Sequence, residues 1–359
     1  MAMSFTPPAA ASFLGDDVIE QINADPGFGQ YFTDHMAVAD WDEANGWRND
    51  RIVDFAPFNL DPACAVYHYA QEIFEGLKAY KRADGSIWLF RPRSNAIRFM
   101  NSARRLALPE LPEADFVTSV ANLVKLDARW TPSADEQSLY IRPFMFASES
   151  FVGIRPSKQV IYCCIASPVG AYFSTGVEPV DIWITKQYSR VATGGTGAAK
   201  CGGNYAASLL PQEVAYQNGC SQVLYLDAAS RSQVEELGGM NFMMVTADGE
   251  LVTPELNGNI LPGVTRDSLL ALAPDVNLTP VERPITLAEV IDGLASGAVR
   301  EVFACGTAAV ITPIGNLRDE NGDHKTPADH QVTLELRRRL LDIQYGRADD
   351  RFGWTQKVC

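Results

Sequence analysis

The sequence predicts an α+β fold in two domains, on three observations. The chain has 359 residues, more than a single hydrophobic core usually carries. Strand-like and helix-spaced runs alternate without the regular strand–helix–strand repeat of a parallel sheet. The stretch Pro168-Val169-Gly170-Ala171-Tyr172-Phe173-Ser174-Thr175-Gly176 interrupts both patterns and marks a boundary. The expected layout is a smaller N-terminal α+β domain over residues 1–170, a linker over 171–179 and a larger domain over 180–359.

Residues 1–50, rich in Asp, Asn and Gly, read as irregular. A hairpin follows, with Leu77 to Lys81 and Ser86 to Phe90 flanking the turn Ala83-Asp84-Gly85. Ser94 is a candidate cap for a helix whose Ala96, Met100, Ala103 and Ala107 share one face, ending before Pro109. A second helix spans about Glu113 to Trp130, with Val117, Val120, Leu123 and Val124 inward. Strands are expected over Ser138 to Phe146 and Gln159 to Ser167. Beyond the boundary, strands at Val180 to Thr185, Gln222 to Asp227, Phe242 to Thr246 and Glu301 to Ala304 mix with helices near Ala206 to Gln217, Thr265 to Leu272, Leu287 to Ser296 and Asp329 to Ile343. Asp248-Gly249 marks another hairpin.

The formal net charge of −14 argues against nucleic-acid and anionic-membrane partners, because no basic surface offsets phosphate repulsion. No apolar run is long enough to span a bilayer, and Met1 to Leu14 lacks the basic start of a signal peptide. Seven scattered cysteines without a C-x-x-C pair read as reduced thiols of a cytoplasmic protein. His35, His68, His324 and His330 show no metal-ligand spacing, so no metal is expected.

Five segments could carry chemistry. In Gly194-Gly195-Thr196-Gly197-Ala198-Ala199-Lys200-Cys201-Gly202-Gly203-Asn204-Tyr205, a lone lysine sits among glycines and small residues. A lysine without charged neighbours is easily desolvated, and desolvation favours the neutral amine that imine chemistry needs. The segment is not a P-loop, since Ala199 precedes Lys200 and Cys201 follows it, nor a dinucleotide fingerprint, since Lys200 stands where the third glycine is needed. A flexible surface loop remains an alternative. Val234-Glu235-Glu236-Leu237-Gly238-Gly239 offers a carboxylate beside a tight turn, suited to a pyridinium nitrogen or simply solvated. Leu261-Pro262-Gly263-Val264-Thr265-Arg266 opens a helix whose free N–H groups could hold an anion. Ala304-Cys305-Gly306-Thr307-Ala308 ends a strand in a turn that could do the same. In Ser138-Leu139-Tyr140-Ile141-Arg142-Pro143-Phe144, alternation puts Tyr140, Arg142 and Phe144 on one strand face, an arginine between aromatics that suits a carboxylate.

Together these segments resemble the branched-chain aminotransferases of class IV, a pyridoxal-phosphate family of fold type IV. The resemblance runs from Phe28-Gly29 and Phe32-Thr33-Asp34-His35-Met36 to Ile343-Gln344-Tyr345-Gly346. Its most specific matches are Phe74-Glu75-Gly76-Leu77-Lys78-Ala79-Tyr80, Lys200-Cys201-Gly202-Gly203-Asn204-Tyr205, Leu261 to Arg266 and Gly306-Thr307-Ala308. It implies a D-amino-acid-aminotransferase-like architecture with the active site at the domain interface, and a homodimer that completes its sites across the interface.

Site roles follow from the resemblance position by position. Lys200 matches the lysine joined to pyridoxal 5'-phosphate and Glu236 the carboxylate at the pyridine nitrogen, while Tyr205 matches the tyrosine on the phenolic oxygen. Arg98, Val264, Thr265 and Thr307 match the phosphate ligands. Phe28, Phe74, Tyr140 and Tyr172 match an aromatic pocket wall, and Tyr69, Val152 and Ile154 match residues that relatives supply from the partner subunit. Thr307 and Ala308 match the turn on the substrate α-carboxylate, and Arg142 an arginine for the distal carboxylate of glutamate. Two positions depart from the pattern. Gly239 stands where many relatives have threonine, and Ala308-Ala309-Val310 lacks the redox-active C-x-x-C of some animal relatives. The implied reaction exchanges the amino group between leucine, isoleucine or valine and 2-oxoglutarate. Another class IV activity, such as D-amino-acid transamination or aminodeoxychorismate lyase chemistry, and a non-catalytic ligand-binding protein stay open at this stage.

Overall fold

The computed structural model describes residues 2–170 and 177–359. Tyr172 and most of the expected linker lie outside the described residues. The chain divides into two units: Met1–Ser174 with Ala199–Gly202 and Ile343–Cys359, and Thr175–Ala198 with Gly203–Asp342. The C-terminal tail thus departs from the expected 180–359 domain. Strand Thr355–Lys357 pairs antiparallel with Ile87–Phe90, Gln356 lying opposite Leu89. Tyr345 Oη donates to the Gln137 carbonyl at 2.6 Å. A three-residue strand is too short to carry a period, so its pairing is invisible in sequence.

The first unit is built on an antiparallel eight-stranded sheet, ordered Thr355–Lys357, Ile87–Phe90, Leu77–Lys81, Ser138–Ala147, Gln159–Val169, His35–Asp42, Gly46–Asp54, with Glu72–Phe74 also pairing Ser138–Ala147. The strands His35–Asp42 and Gly46–Asp54 and the helix Asp16–Ala24 replace the irregular segment expected over residues 1–50. Asn45-Gly46, a hairpin dipeptide, turns the chain between those two strands. Two helices cover one face. Helix Pro92–Arg105 begins at Pro92, whose fixed φ suits the first helical position. Its N-cap is Arg91, in the left-handed region at φ 47°, and not Ser94. Ala107 falls beyond its end. The second helix stops at Leu126, and Ala128–Trp130 forms a separate 3₁₀ turn. Phe99, Phe116, Val120 and Leu123 are fully buried between these helices and the sheet. Ser119 Oγ and Tyr162 Oη, both in that core, satisfy each other at 2.6 Å.

The second unit holds a nine-stranded mixed sheet, ordered Val234–Leu237, Gln222–Leu226, Val180–Thr185, Val310–Asp319, Val299–Gly306, Asn241–Thr246, Glu250–Thr253, Thr279–Glu282, with Gly322–Lys325 also pairing Val310–Asp319. A further pairing, Glu236 opposite Asn241, closes six of these strands into a ring. Strand Val180–Thr185 runs parallel to both of its neighbours. The helix expected over Ala206 to Gln217 is two pieces, Gly202–Ala206 and Leu209–Gln217. Helix Leu287–Ser296 has a full set of terminal signals: Thr286 Oγ1 accepts from Glu289 N at 3.1 Å, and Gly297 ends it at φ 81°. Thr286→Ala should cost about 1 kcal/mol, read as a lower urea midpoint with an unchanged slope.

Among the described residues no helix is long and apolar enough to cross a membrane. All seven cysteines are free thiols, and burial pushes those of Cys163 and Cys164 upward in pKa, away from the reactive thiolate.

Candidate active site

In the first unit, Lys200 is fixed by its own backbone. Its N–H donates to Ser102 Oγ at 2.9 Å, and its carbonyl accepts from Phe74 N at 3.0 Å. Ala199 and Cys201 on either side are buried, so the peptide cannot slide. Gly202 N–H donates to Glu72 Oε1, and a Cβ at Gly202 would fall 2.1 Å from that oxygen, so a larger residue there would displace the Glu72 carboxylate. The Lys200 amine lies 4.8 Å from the centre of the Phe74 ring.

Beside Phe74, Glu75 is completely buried and bonded on both oxygens. Arg98 Nε donates to Oε1 at 2.6 Å and Arg98 Nη2 to Oε2 at 2.8 Å, a bidentate pair. Asn95 Nδ2 adds a bond at 2.8 Å and Gly76 N–H another at 3.1 Å. Burial alone pushes the Glu75 carboxyl up. The Arg98 charge and hydrogen bonds, the Lys200 charge and Asn95 outweigh it and hold the pKa below the ordinary glutamate value. The expected phosphate ligand Arg98 is therefore a buried cation with its counter-charge already in place.

Strand Ser138–Ala147 supplies the next group. Arg142 Nη2 donates to Tyr140 Oη at 2.9 Å, so the two share a face, as alternation predicts. The Arg142 guanidinium sits 4.8 Å from the Phe74 ring centre and 5.3 Å from that of Tyr140. Phe28 tilts against Tyr140 at 5.2 Å. A Cβ at Gly76 would fall 2.1 Å from Tyr140 Oη, so glycine there makes room for the phenol. Phe28, Phe32, Tyr140, Arg142, Ile165 and Ala166 line a cleft of about 180 Å³. Five of the expected residues, Phe28, Phe74, Tyr140, Arg142 and Lys200, thus form one chain of contacts. Tyr69 and Val152 form a separate surface group, the Tyr69 hydroxyl donating to the Val152 carbonyl. Ile154 is 92% exposed.

In the second unit, Glu236 is buried on strand Val234–Leu237. Its Oε1 accepts from Leu261 N at 3.0 Å and from Arg190 Nη1 at 2.8 Å, and its Oε2 from Asn241 Nδ2 at 3.0 Å. Asn241 Nδ2 also donates to the Leu261 carbonyl at 3.0 Å, which ties the carboxylate to the start of helix Val264–Leu272. Gly263, the N-cap, leaves room for Asn241: a Cβ would fall 2.0 Å from Asn241 Oδ1 and push that side chain aside. Val264 and Thr265 form the buried first turn. Thr307 and Ala308 turn the chain between strands Val299–Gly306 and Val310–Asp319, with Gly306 opposite Val310. Val310 leaves that turn at φ 62°, a conformation a β-branched residue adopts only under constraint. Cys305 pairs with Asn241, so this turn neighbours the Glu236 strand pair. Tyr205 lies in the short helix Gly202–Ala206, anchored by Asn204 Nδ2 donating to the Thr196 carbonyl at 2.9 Å. The neighbouring Glu235 faces a different balance: burial raises its carboxyl pKa, and Asn259 and Arg190 only partly offset this.

Three parts of pyridoxal phosphate find a chemical match, one in the first unit and two in the second. The amine of Lys200 suits the aldehyde, and the buried, donor-stabilised Glu236 suits a protonated ring nitrogen. The glycine-capped first turn at Val264 and Thr265 presents N–H groups suited to a phosphate. Sequence reasoning missed Glu75, Asn95 and Arg190. Glu75 had a visible signal, as one of two charges with Lys78 inside the otherwise apolar run Ile73 to Tyr80, but its partner is 23 residues away.

The amino-transferase class IV family profile matches residues 72–317. A branched-chain-amino-acid aminotransferase of Mycolicibacterium smegmatis is 50% identical over 99% of this chain and 98% of its own length. Among solved structures, a branched-chain aminotransferase from Thermoproteus uzoniensis with norvaline superposes with a TM-score of 0.75 at 25% identity, covering 90% of this chain and 100% of that one. A T.th. branched-chain amino acid aminotransferase with pyridoxamine 5'-phosphate gives a TM-score of 0.73 at 26% identity, covering 90% and 99%.

Proposed function

Since this chain belongs to the branched-chain-amino-acid aminotransferases of class IV, which depend on pyridoxal phosphate, we propose that it exchanges the amino group reversibly between L-leucine, L-isoleucine or L-valine and 2-oxoglutarate. The products are branched 2-oxo acids and L-glutamate. The observation that carries this reading is the chain of contacts from Lys200 through Phe74 to Arg142 and Tyr140. It sets one amine and one guanidinium around an aromatic wall.

When bound, pyridoxal phosphate supplies an aldehyde for the amino group and a ring that draws electrons from the α-carbon. Lys200 Nζ would hold the cofactor; once the substrate's amino group has taken its place, the freed Lys200 amine takes the proton from the substrate α-carbon and returns it as a general acid. Glu236 holds the proton on the ring nitrogen, and Tyr205 donates to the phenolic oxygen. Arg98, Val264, Thr265 and Thr307 hold the phosphate. The Thr307 and Ala308 N–H groups take the substrate α-carboxylate. Phe28, Phe74, Tyr140 and Tyr172 receive the aliphatic side chain, whose burial is worth about 1.5–3 kcal/mol. One methylene discriminates weakly, so the three branched substrates should be poorly separated. Arg142 anchors the distal carboxylate of glutamate.

The active form we propose is a cytoplasmic homodimer. The exposed Tyr69, Val152 and Ile154 close the pocket of the partner.

An amino-donor panel with 2-oxoglutarate, read as glutamate formation, tests the reaction. Turnover of D-alanine above L-leucine would overturn it. Arg142→Met should lower kcat/KM for 2-oxoglutarate about 10- to 100-fold, the worth of a charge-assisted hydrogen bond, and change that for L-leucine far less. Equal losses on both substrates would remove Arg142 from its anchoring role.

A further inference from the structure

We propose that Arg190 is a positioning residue that keeps Glu236 ionised and aimed, and so sets the protein's hold on the cofactor's ring nitrogen. This rests on the reading of Glu236 as the partner of that nitrogen.

Both side chains are almost completely buried, 4% exposed each, and the guanidinium nitrogen stands 2.8 Å from Glu236 Oε1. A buried carboxylate without a counter-charge takes up a proton, because desolvation penalises the charged form. A neutral Glu236 would no longer complement a protonated ring. Arg190 prevents this with a permanent charge.

Its other bonds fix where that charge sits. Arg190 Nη1 donates to the Asn259 carbonyl at 2.8 Å and, more weakly, to the Gly197 carbonyl at 3.4 Å. The guanidinium therefore joins three pieces of the second unit: the glycine-rich loop, the segment before Leu261, and strand Val234–Leu237. The loop can approach only because residue 197 has no side chain, since a Cβ there would fall 2.2 Å from the Asn259 carbonyl oxygen. Leu261 N and Asn241 hold the carboxylate from its other neighbours. A lysine retains the charge but lacks a counterpart of Nη2, which also donates to the Gly197 carbonyl at 3.4 Å.

The test is a binding measurement on the full-length apo-protein. Pyridoxal phosphate and its analogue with CH in place of the ring nitrogen are titrated against the parent, Arg190→Gln, Arg190→Lys and Glu236→Gln. The expected result is that Arg190→Gln lowers the preference for pyridoxal phosphate over the analogue about tenfold, the lower end of what a hydrogen bond to a charged group is worth. Arg190→Lys should fall between Arg190→Gln and the parent, and it carries the test if Arg190→Gln does not accumulate folded. Equal weakening toward both compounds would mean that Arg190 only supports the fold, and the proposal falls. If Glu236→Gln loses the preference and the Arg190 variants keep it, the proposal alone is wrong. If Glu236→Gln itself keeps the preference, the ring-nitrogen reading of Glu236 fails and takes the proposal with it.

Discussion

Lys200→Ala should reduce kcat by at least about 10³-fold, since positioned proton transfer alone is worth about 10²–10⁴ and the covalent attachment of the cofactor is lost as well. The substitution separates chemistry from folding cleanly. The bonds that fix this residue, to Ser102 Oγ and from Phe74 N, belong to its main chain and survive removal of the amine. The variant should therefore melt close to the parent. Borohydride reduction of the parent holoenzyme, followed by peptide mapping, should place the pyridoxyl label on Lys200. Full turnover by the variant, or a label on another lysine, would sink the assignment.

The second large effect concerns stability. In the apo-protein, Glu75→Ala should destabilise the first unit by about 3–5 kcal/mol, because it leaves Arg98 as an uncompensated buried charge. Asn95 and the Gly76 N–H lose their acceptor at the same time. The sign of the pH dependence follows from the lowered carboxyl pKa of Glu75. A group whose native pKa lies below its unfolded value stabilises fully above the unfolded value, about 4.3 for glutamate, and loses this as pH falls through the native one. The parent should therefore lose stability below about pH 4 more steeply than the variant. Urea unfolding at several pH values measures both. A variant as stable as the parent at neutral pH would show that the Arg98 charge finds relief elsewhere.

Much of this was legible because the local signals agreed with one another. The hairpin around Asp84-Gly85 lies where its turn residues put it, and the strand Val180–Thr185 and the helix Leu287–Ser296 have the bounds expected of them. The α+β class held for the same reason. The early strands His35–Asp42 and Gly46–Asp54 were missed because Asp, Asn and Gly dominate their surroundings and mask a short apolar run. Long-range pairings were the least visible. Nothing near Arg190 announces Glu236, 46 positions on, and nothing near Glu75 announces Arg98. Buried ion pairs connect residues that share no period, so only the folded chain reveals them. The grouping of Phe28, Tyr140 and Arg142 lies between these cases. Alternation put Tyr140 and Arg142 on one face, but the tilt of Phe28 onto Tyr140 depends on tertiary packing.

Residues 355–357 supply the edge strand beside Ile87–Phe90, and Ile87 exchanges backbone bonds with Val358 and Cys359 at 2.8 and 3.0 Å. During synthesis on the ribosome, the segment Ile87–Phe90 must therefore wait for residues 355–359 before its open side is capped. Until then nascent protein would carry an unsatisfied β-edge, a template for sticking to other chains. Variants shortened before Thr355 should tend to form inclusion bodies even where every residue implicated in chemistry is intact.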